Sequence, residues 1–229
     1  MRLGHPRLHL RTTTSTNDRA RELAQAGAPH GTLVTAREQT AGRGRQGRAW
    51  TAPAGTSLLA SLVLRDAPPL LPLAAAVAVA DLAGHEASIK WPNDVLLDGR
   101  KLAGILVEGR PQEGWAVLGI GINVALRVGD LPAELRERAS TLGLQPADVD
   151  AVLGRLLARL EGTLALPPDA LLAAWRRRDA LLDRPVSWAG GHGTGAGVDH
   201  DGRLLVDQPD GTRIALDAGE VHLGSGPHG

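Results

Sequence analysis

Cysteine, phenylalanine and tyrosine are all missing from this 229-residue chain, and methionine occurs once. Without cysteine there is no disulfide framework, no thiolate metal site and no cysteine nucleophile. That fits a cytosolic protein, and a cytoplasmic location is the expectation. Without Phe and Tyr, and with only five Trp, the core has to be built from Leu, Val, Ile and Ala, which makes each Trp position informative. Net charge is missing too, since 25 basic side chains face 25 acidic ones. A general nucleic-acid binder shows a large basic excess, so any such role would have to rest on a local patch. Long apolar runs are also lacking. The longest, residues 70–80, contains Pro72 and is too short to span a bilayer. The first ten residues mix Arg, His and Pro and carry no apolar core of a secretory signal. The chain reads as soluble, with no membrane partner. Its length suits one domain with a small appendage.

Against this plain background one stretch stands out. Residues 42–50 alternate Gly42, Gly44 and Gly47 with Arg43, Arg45 and Arg48, and Trp50 closes the run. Glycine lets backbone approach a ligand closely. Arginine is always charged and offers a planar fork of donors for phosphate or carboxylate. The combination describes a mobile cationic loop for an anion. Taken alone, it leaves RNA, a nucleotide and a phosphorylated metabolite all open.

The neighbouring segments frame this loop. Ser15, Thr16 and Asn17 precede a short amphipathic helix that Gly27 closes, with Ala20, Leu23 and Ala24 on its inner face. A polar cluster at a helix start is ordinarily a cap. The alternative is that its free hydroxyls face a small polar ligand. Residues 32–38 alternate as a strand and deliver Gln39 into the loop. Residues 57–65 form a second, more buried strand, and residues 70–84 a core helix with Pro72 in its first turn. Then Lys90-Trp91-Pro92-Asn93-Asp94 leads into a hairpin that turns at Asp98-Gly99 and returns through Lys101, Gly104 and Leu106 to Glu108. That hairpin sets Asp94 and Lys101 on neighbouring strands. A solvated surface hairpin is the ordinary reading, and a shared carboxylate–ammonium site the functional one. Residues 115–124 read as a central strand, where Gly119 and Gly121 need close packing by a ligand or by opposing backbone. Residues 131–139, 146–164 and 168–182 carry helical patterns, with Trp175 in the core. From Arg184 five short strand candidates follow, at residues 185–188, 195–198, 203–206, 212–216 and 220–223, with turns at Asp201-Gly202 and Asp210-Gly211. They suggest a small β-barrel, a boundary near Leu182, and a frayed tail from Ser225 onward. The residues alone give an α+β class with a β tail.

Five stretches taken together resemble biotin–protein ligases: Ser15-Thr16-Asn17, residues 39–50, residues 90–94, residues 100–108 and residues 119–123. They fall in the family's order at family-like spacing, and Arg184-Pro185-Val186 with residues 218–221 look like its terminal domain. One motif would be weak; five in order are specific. The resemblance implies a mixed β-sheet flanked by helices, related to class II aminoacyl-tRNA synthetases, over residues 1–182. A small C-terminal SH3-like β-barrel would occupy residues 183–229. It implies ATP-dependent biotinylation of one lysine on a biotin carboxyl carrier domain of a carboxylase, through biotinyl-5′-AMP, with ATP and biotin as substrates and Mg²⁺ on the phosphates. With the Ser-Thr-Asn motif at residue 15 and zero net charge, a monofunctional form without a DNA-binding domain, and hence no DNA partner, is expected. The family includes monomers and homodimers.

Carried onto this chain, the resemblance makes Lys101, Asp94 and Arg45 the catalytic candidates. Biotin contacts would come from Ser15, Thr16, Asn17, Gln39, Gly42, Arg43, Trp50, Lys101, Gly104 and Leu106. Arg43, Arg45, Arg48, Trp91, Asn93, Lys101 and Asn123 would line the ATP and adenylate side. Asp94 would either orient the incoming lysine or help hold Mg²⁺. Three rivals stand beside this reading. A lipoate–protein ligase shares the fold and the acyl-adenylate chemistry. An RNA-binding module would need basic patches and exposed aromatics. An inactive paralogue would have no use for Lys101, Asp94 and all three loop arginines.

Overall fold

A computed structural model describes residues 2–217, 219 and 221–223. Its centre is a seven-stranded mixed sheet in the order β1-β2-β3-β7-β6-β5-β4. The strands are β1 (Arg7–Thr13), β2 (Leu33–Gln39), β3 (Ser57–Arg65), β4 (Ala87–Lys90), β5 (Asp94–Leu97), β6 (Arg100–Arg110) and β7 (Trp115–Asn123). Only β1 and β2 pair in parallel; the other neighbours are antiparallel. Helix α1 (Thr16–Gln25) lies on one face, and α2 (Leu71–Ala83), α4 (Val149–Leu164) and α5 (Pro168–Arg176) cover the other, with the short α3 (Ala133–Arg136) between β7 and α4.

The two faces follow from strand alternation, since successive side chains point to opposite sides. On β3, Leu58, Ala60, Leu62 and Leu64 join the large aliphatic cluster that α2, α4 and α5 cover. Leu118, Ile120 and Ile122 of β7 do the same. The opposite face carries Val63, Val117 and Trp115, which pack under Ala20 and Ala24 of α1. Farther along that face stand Leu59 and Ser61, opposite Gly121 and Gly119. The site is built on this second face.

A smaller antiparallel sheet follows, in the order β11-β10-β9-β8-β12. Its strands are β8 (Pro185–Trp188), β9 (Gly191–Val198), β10 (Leu204–Asp207), β11 (Arg213–Leu216) and β12 (His222–Leu223). Its edges β11 and β12 do not pair with one another among the described residues, so the sheet is open there. Val186, Val198, Leu204 and Val206 belong to the same cluster as α2 and the main sheet, and Trp91 donates from Nε1 to the Gly202 carbonyl at 3.1 Å. Ala218 and Glu220 of the expected terminal motif, and the expected tail from Ser225, lie outside the described residues.

Three expectations are corrected. Strand β1 has no counterpart in the sequence reading. The helical pattern at residues 131–139 yields only Ala133–Arg136, because the following chain pairs with β6: Lys101 N–H donates to Arg138 and Ser140 N–H to Lys101. The pattern at 168–182 stops at Arg176 for the same reason. Ile89 N–H donates to Arg178, and Ala180 N–H donates back to Ile89. Both tails leave helical geometry to satisfy strand backbone that would otherwise be unpaired.

Candidate active site

The site face narrows to a floor of small residues. Gly121 pairs across with Leu59 on one side and Gly104 on the other, and Gly119 with Ser61 and Leu106. A side chain on these glycines would strike what lies above them. A Cβ on Gly121 would sit 2.7 Å from the Trp50 ring, and one on Gly104 would sit 3.1 Å from it. A Cβ on Gly119 would run into the Asn17 carboxamide. The glycines therefore seat an indole and a carboxamide directly on the sheet, which is what their placement in a central strand demands.

Above this floor is a cavity of about 110 Å³ lined by Ser15, Thr16, Asn17, Gln39, Arg43, Arg45, Arg48, Trp50, Asn93, Lys101, Gly104 and Leu106, together with Leu59, Gly119 and Gly121. One end is polar and uncharged. Gln39 Oε1 accepts from the Thr16 N–H at 2.6 Å and from its hydroxyl at 2.9 Å, satisfying an orphan donor of the α1 N-terminus. The Ser61 hydroxyl lies 2.8 Å from Thr16 Oγ1 and 2.6 Å from Asn17 Oδ1. Ser15 precedes the helix but makes no side-chain cap bond, so its buried hydroxyl is left for the cavity rather than for the helix. The ordinary capping reading does not hold here.

The other end is cationic. Lys101 Nζ lies 2.8 Å from Asp94 Oδ1 and 5.8 Å from the Trp50 ring centroid, within cation–π range. Arg45 has its pKa lowered, first by burial and then by neighbouring Arg48, with Asp94 acting against both. Guanidiniums and an ammonium gathered at one end of a cavity suit an anion.

The arginine–glycine loop is a small hairpin. Trp50 N–H donates to Gly42 at 2.9 Å and Gly44 N–H to Arg48 at 2.6 Å, and Arg43 bridges Ala49. Its tip is a single 3₁₀ turn, Arg45–Gly47, with Gln46 and Gly47 at φ 55° and 74°. On its outer side an open groove of about 500 Å³ runs along residues 41–49, Leu106 and Glu108. The loop thus partitions two hollows. The inner one is small beside ordinary ligand pockets of ~300–1,000 Å³, so a ligand of that size requires the loop to move.

Four candidates do not line the cavity. Gly42 shapes the loop instead: a Cβ there would collide with the Trp50 carbonyl and come 2.7 Å from Gln39 Nε2. Trp91 is buried and turned towards the smaller sheet. Asn123 is buried, donating to the Ser140 carbonyl at 2.9 Å and accepting from Ser57 at 3.3 Å. Asp94 lies behind Lys101, with which it pairs. Arg43 lines the cavity, with its Nη2 held by Asp18 at 2.7 Å and Glu108 at 2.9 Å. Sequence reasoning missed Ser61, Asp18 and Glu108 as parts of the site. Ser61 carried a signal, a polar residue in the middle of an apolar strand. Asp18 and Glu108 carried none, because charged ends of elements are ordinarily solvated.

The chain matches the Biotin/lipoate A/B protein ligase family over residues 9–124. It is 35% identical to the bifunctional ligase/repressor BirA of Bacillus spizizenii, over 97% of this chain and 75% of that protein. It is also 35% identical to the biotin–[acetyl-CoA-carboxylase] ligase of Paracoccus denitrificans, over 94% of this chain and 99% of that one. Among solved structures, the biotin protein ligase from Aquifex aeolicus in complex with biotin and ATP superposes with a TM-score of 0.83 at 27% identity, over 96% of this chain and all of that chain.

Proposed function

The chain belongs to the biotin/lipoate A/B protein ligase family, and we propose that its cavity joins biotin to AMP and passes the biotinyl group to a lysine of a biotin carboxyl carrier domain. The protein is a ligase acting on biotin with ATP. The observation that supports the site assignment is one cavity with a neutral hydrogen-bonding end and a cationic end, separated by an indole seated on glycines.

Chemically the first step brings a carboxylate to a polyphosphate, so like charges must approach. The carboxylate oxygen bonds to the α-phosphorus as the bond to the pyrophosphate oxygen breaks. Arg45, Arg48 and Lys101 stand where that charge would gather, in a half-buried site where cations act more strongly than in bulk water. The ureido ring of biotin is neutral and rich in donors and acceptors, and it needs partners when buried. Ser15, Thr16 and the free Nε2 amide of Gln39 meet that need, while Leu59, Leu106 and Trp50 offer an apolar wall. In the second step a lysine amine attacks the acyl carbon and AMP leaves. Asp94, paired with Lys101, would orient that amine. A Mg²⁺ ion would offset phosphate charge here. Asp94 already pairs with Lys101, so these residues suit the ion only when phosphate oxygens complete its shell.

The smaller sheet fits the SH3-like terminal module of this reading, with the division at residue 182, and the compartment would be the cytoplasm. The test is ATP–pyrophosphate exchange with biotin, with lipoate and with neither, followed by transfer to an isolated carrier domain. Exchange with biotin alone is expected. Exchange with lipoate alone would replace this reading with the lipoate one.

A further inference from the structure

Four charged side chains on three elements close a ring beside the loop. Asp18 of α1 accepts from Arg21 at 2.6 Å and from Arg43 at 2.7 Å. Glu108 of β6 accepts from Arg43 at 3.0 and 2.9 Å through its two oxygens, and Arg21 stands 4.0 Å from it. Two carboxylates thus balance two guanidiniums, and Arg43 is shared by both acids. The Glu108 carboxylate has a further partner, Asn17 Nδ2 at 2.8 Å, whose Oδ1 accepts from Ser61. Glu108 therefore touches both the loop and the network that forms the polar end of the cavity.

Arg43 is a stem residue of the hairpin. The ring sits at the stem, and its contacts do not extend to the Arg45–Gly47 tip. We propose that Asp18 and Glu108 are positioning residues that pin the loop stem through Arg43, so that opening over the cavity is confined to the Arg45–Gly47 tip. A loop free at both ends would expose the whole cavity each time it opened. A loop pinned at its stem admits ligand past the tip while Trp50 stays seated on Gly104 and Gly121. Either acid alone still holds Arg43, because each neutralises part of the Arg21–Arg43 pair. Removing one leaves the other in place, whereas removing both leaves two adjacent cations that repel.

This inference rests on the ligase reading for its ligand, and its first test does not. In the full-length protein without ligand, brief trypsin treatment read by mass spectrometry should cut after Arg45 and spare the bond after Arg43. In Asp18→Asn/Glu108→Gln, cutting after Arg43 should rise at least tenfold, with less than a threefold change at Arg45. Equal rates at Arg43 in the two proteins would overturn the proposal. The second test measures release of biotinyl-AMP from purified enzyme. The double variant should release it at least tenfold faster, and each single variant less than threefold faster. If kcat and the unfolding midpoint fell together while release stayed unchanged, the ring would serve only folding and the proposal would be wrong. If wild type shows no biotin-dependent exchange, the ligase reading fails and the trypsin pattern still decides the pinning.

Discussion

Strand β7 presents opposite demands on its two faces within a few residues. Leu118, Ile120 and Ile122 sink into the aliphatic cluster beneath α2 and α4. Gly119 and Gly121, their immediate neighbours, carry no side chain at all and let Asn17 and Trp50 lie against the backbone. Every glycine in a strand interior weakens it. The core face supplies the stability that the site face gives up, and this division makes stability and activity separable by mutation along one strand.

The largest effect belongs to the site face. Lys101→Ala removes the cation between Asp94 and Trp50, leaving two anions to approach with one neutraliser fewer. Biotin-dependent ATP–pyrophosphate exchange should fall about 10²–10³-fold, the range for losing one preorganised charge-stabilising group, with little change in the unfolding midpoint. Normal exchange would remove Lys101 from the mechanism. Next comes Leu118→Ala on the core face. It should cost about 2–5 kcal/mol in urea unfolding, while exchange per folded molecule stays within twofold. A large activity loss without a stability loss would break the division between faces.

Gly121→Ala puts the two demands in direct conflict. The added Cβ has strand-compatible backbone, so stability should change by less than about 1 kcal/mol. The Trp50 ring, however, must shift. Displacement of a positioning group by about an ångström can cost up to about 10²-fold, and kcat/KM for biotin should drop about 10–100-fold. Unchanged kcat/KM would show that the indole is not seated there during turnover. Arg45→Gly acts at the loop tip. It should still form the adenylate but release it faster, seen as labelling of bystander amines; retention equal to wild type would exclude a latching role.

How far the sequence disclosed all this differs by region. The core strands were legible because short apolar runs between turn residues report burial, and β3 and β8 begin and end where those runs did. The arginine–glycine run by itself pointed only to an anion, and the five motifs in order narrowed that to the family. Ends of helices were not legible. Residues 178–180 and 138–140 look helical locally and are drawn off by unpaired strand backbone distant in sequence. The Asp18–Arg21–Arg43–Glu108 ring was equally hidden, since three separate segments meet only after folding. Trp91 and Asn123 carry tasks that no local pattern announces: one joins the two sheets and the other ties β7 to Ser140.

The segment that covers β4 offers the gentlest test, because it belongs to neither face. Asp179 lies in it, bridging Ile89. Its Oδ1 accepts the Leu181 N–H at 2.8 Å, while its Oδ2 is buried without a partner. Burial foremost, and Asp183 after it, raise the Asp179 pKa from 3.8 to about 6, against the pull of the Leu181 and Leu182 N–H groups. A carboxylate with a raised folded-state pKa favours the protonated native form. Its stabilising effect is therefore greatest below pH 3.8 and disappears as pH rises through about 6. Asp179→Asn keeps an acceptor for Leu181 and carries no charge at any pH. The variant should match wild type near pH 4 and exceed it by about 1–2 kcal/mol above pH 6.5, less than the full linkage value because the site is partly wet. Urea unfolding of both proteins at half-unit steps from pH 4 to 7 reads the difference. A gap that stays constant across that range would mean that the edge segment holds its aspartate without strain, and that stability here is set by the core face alone.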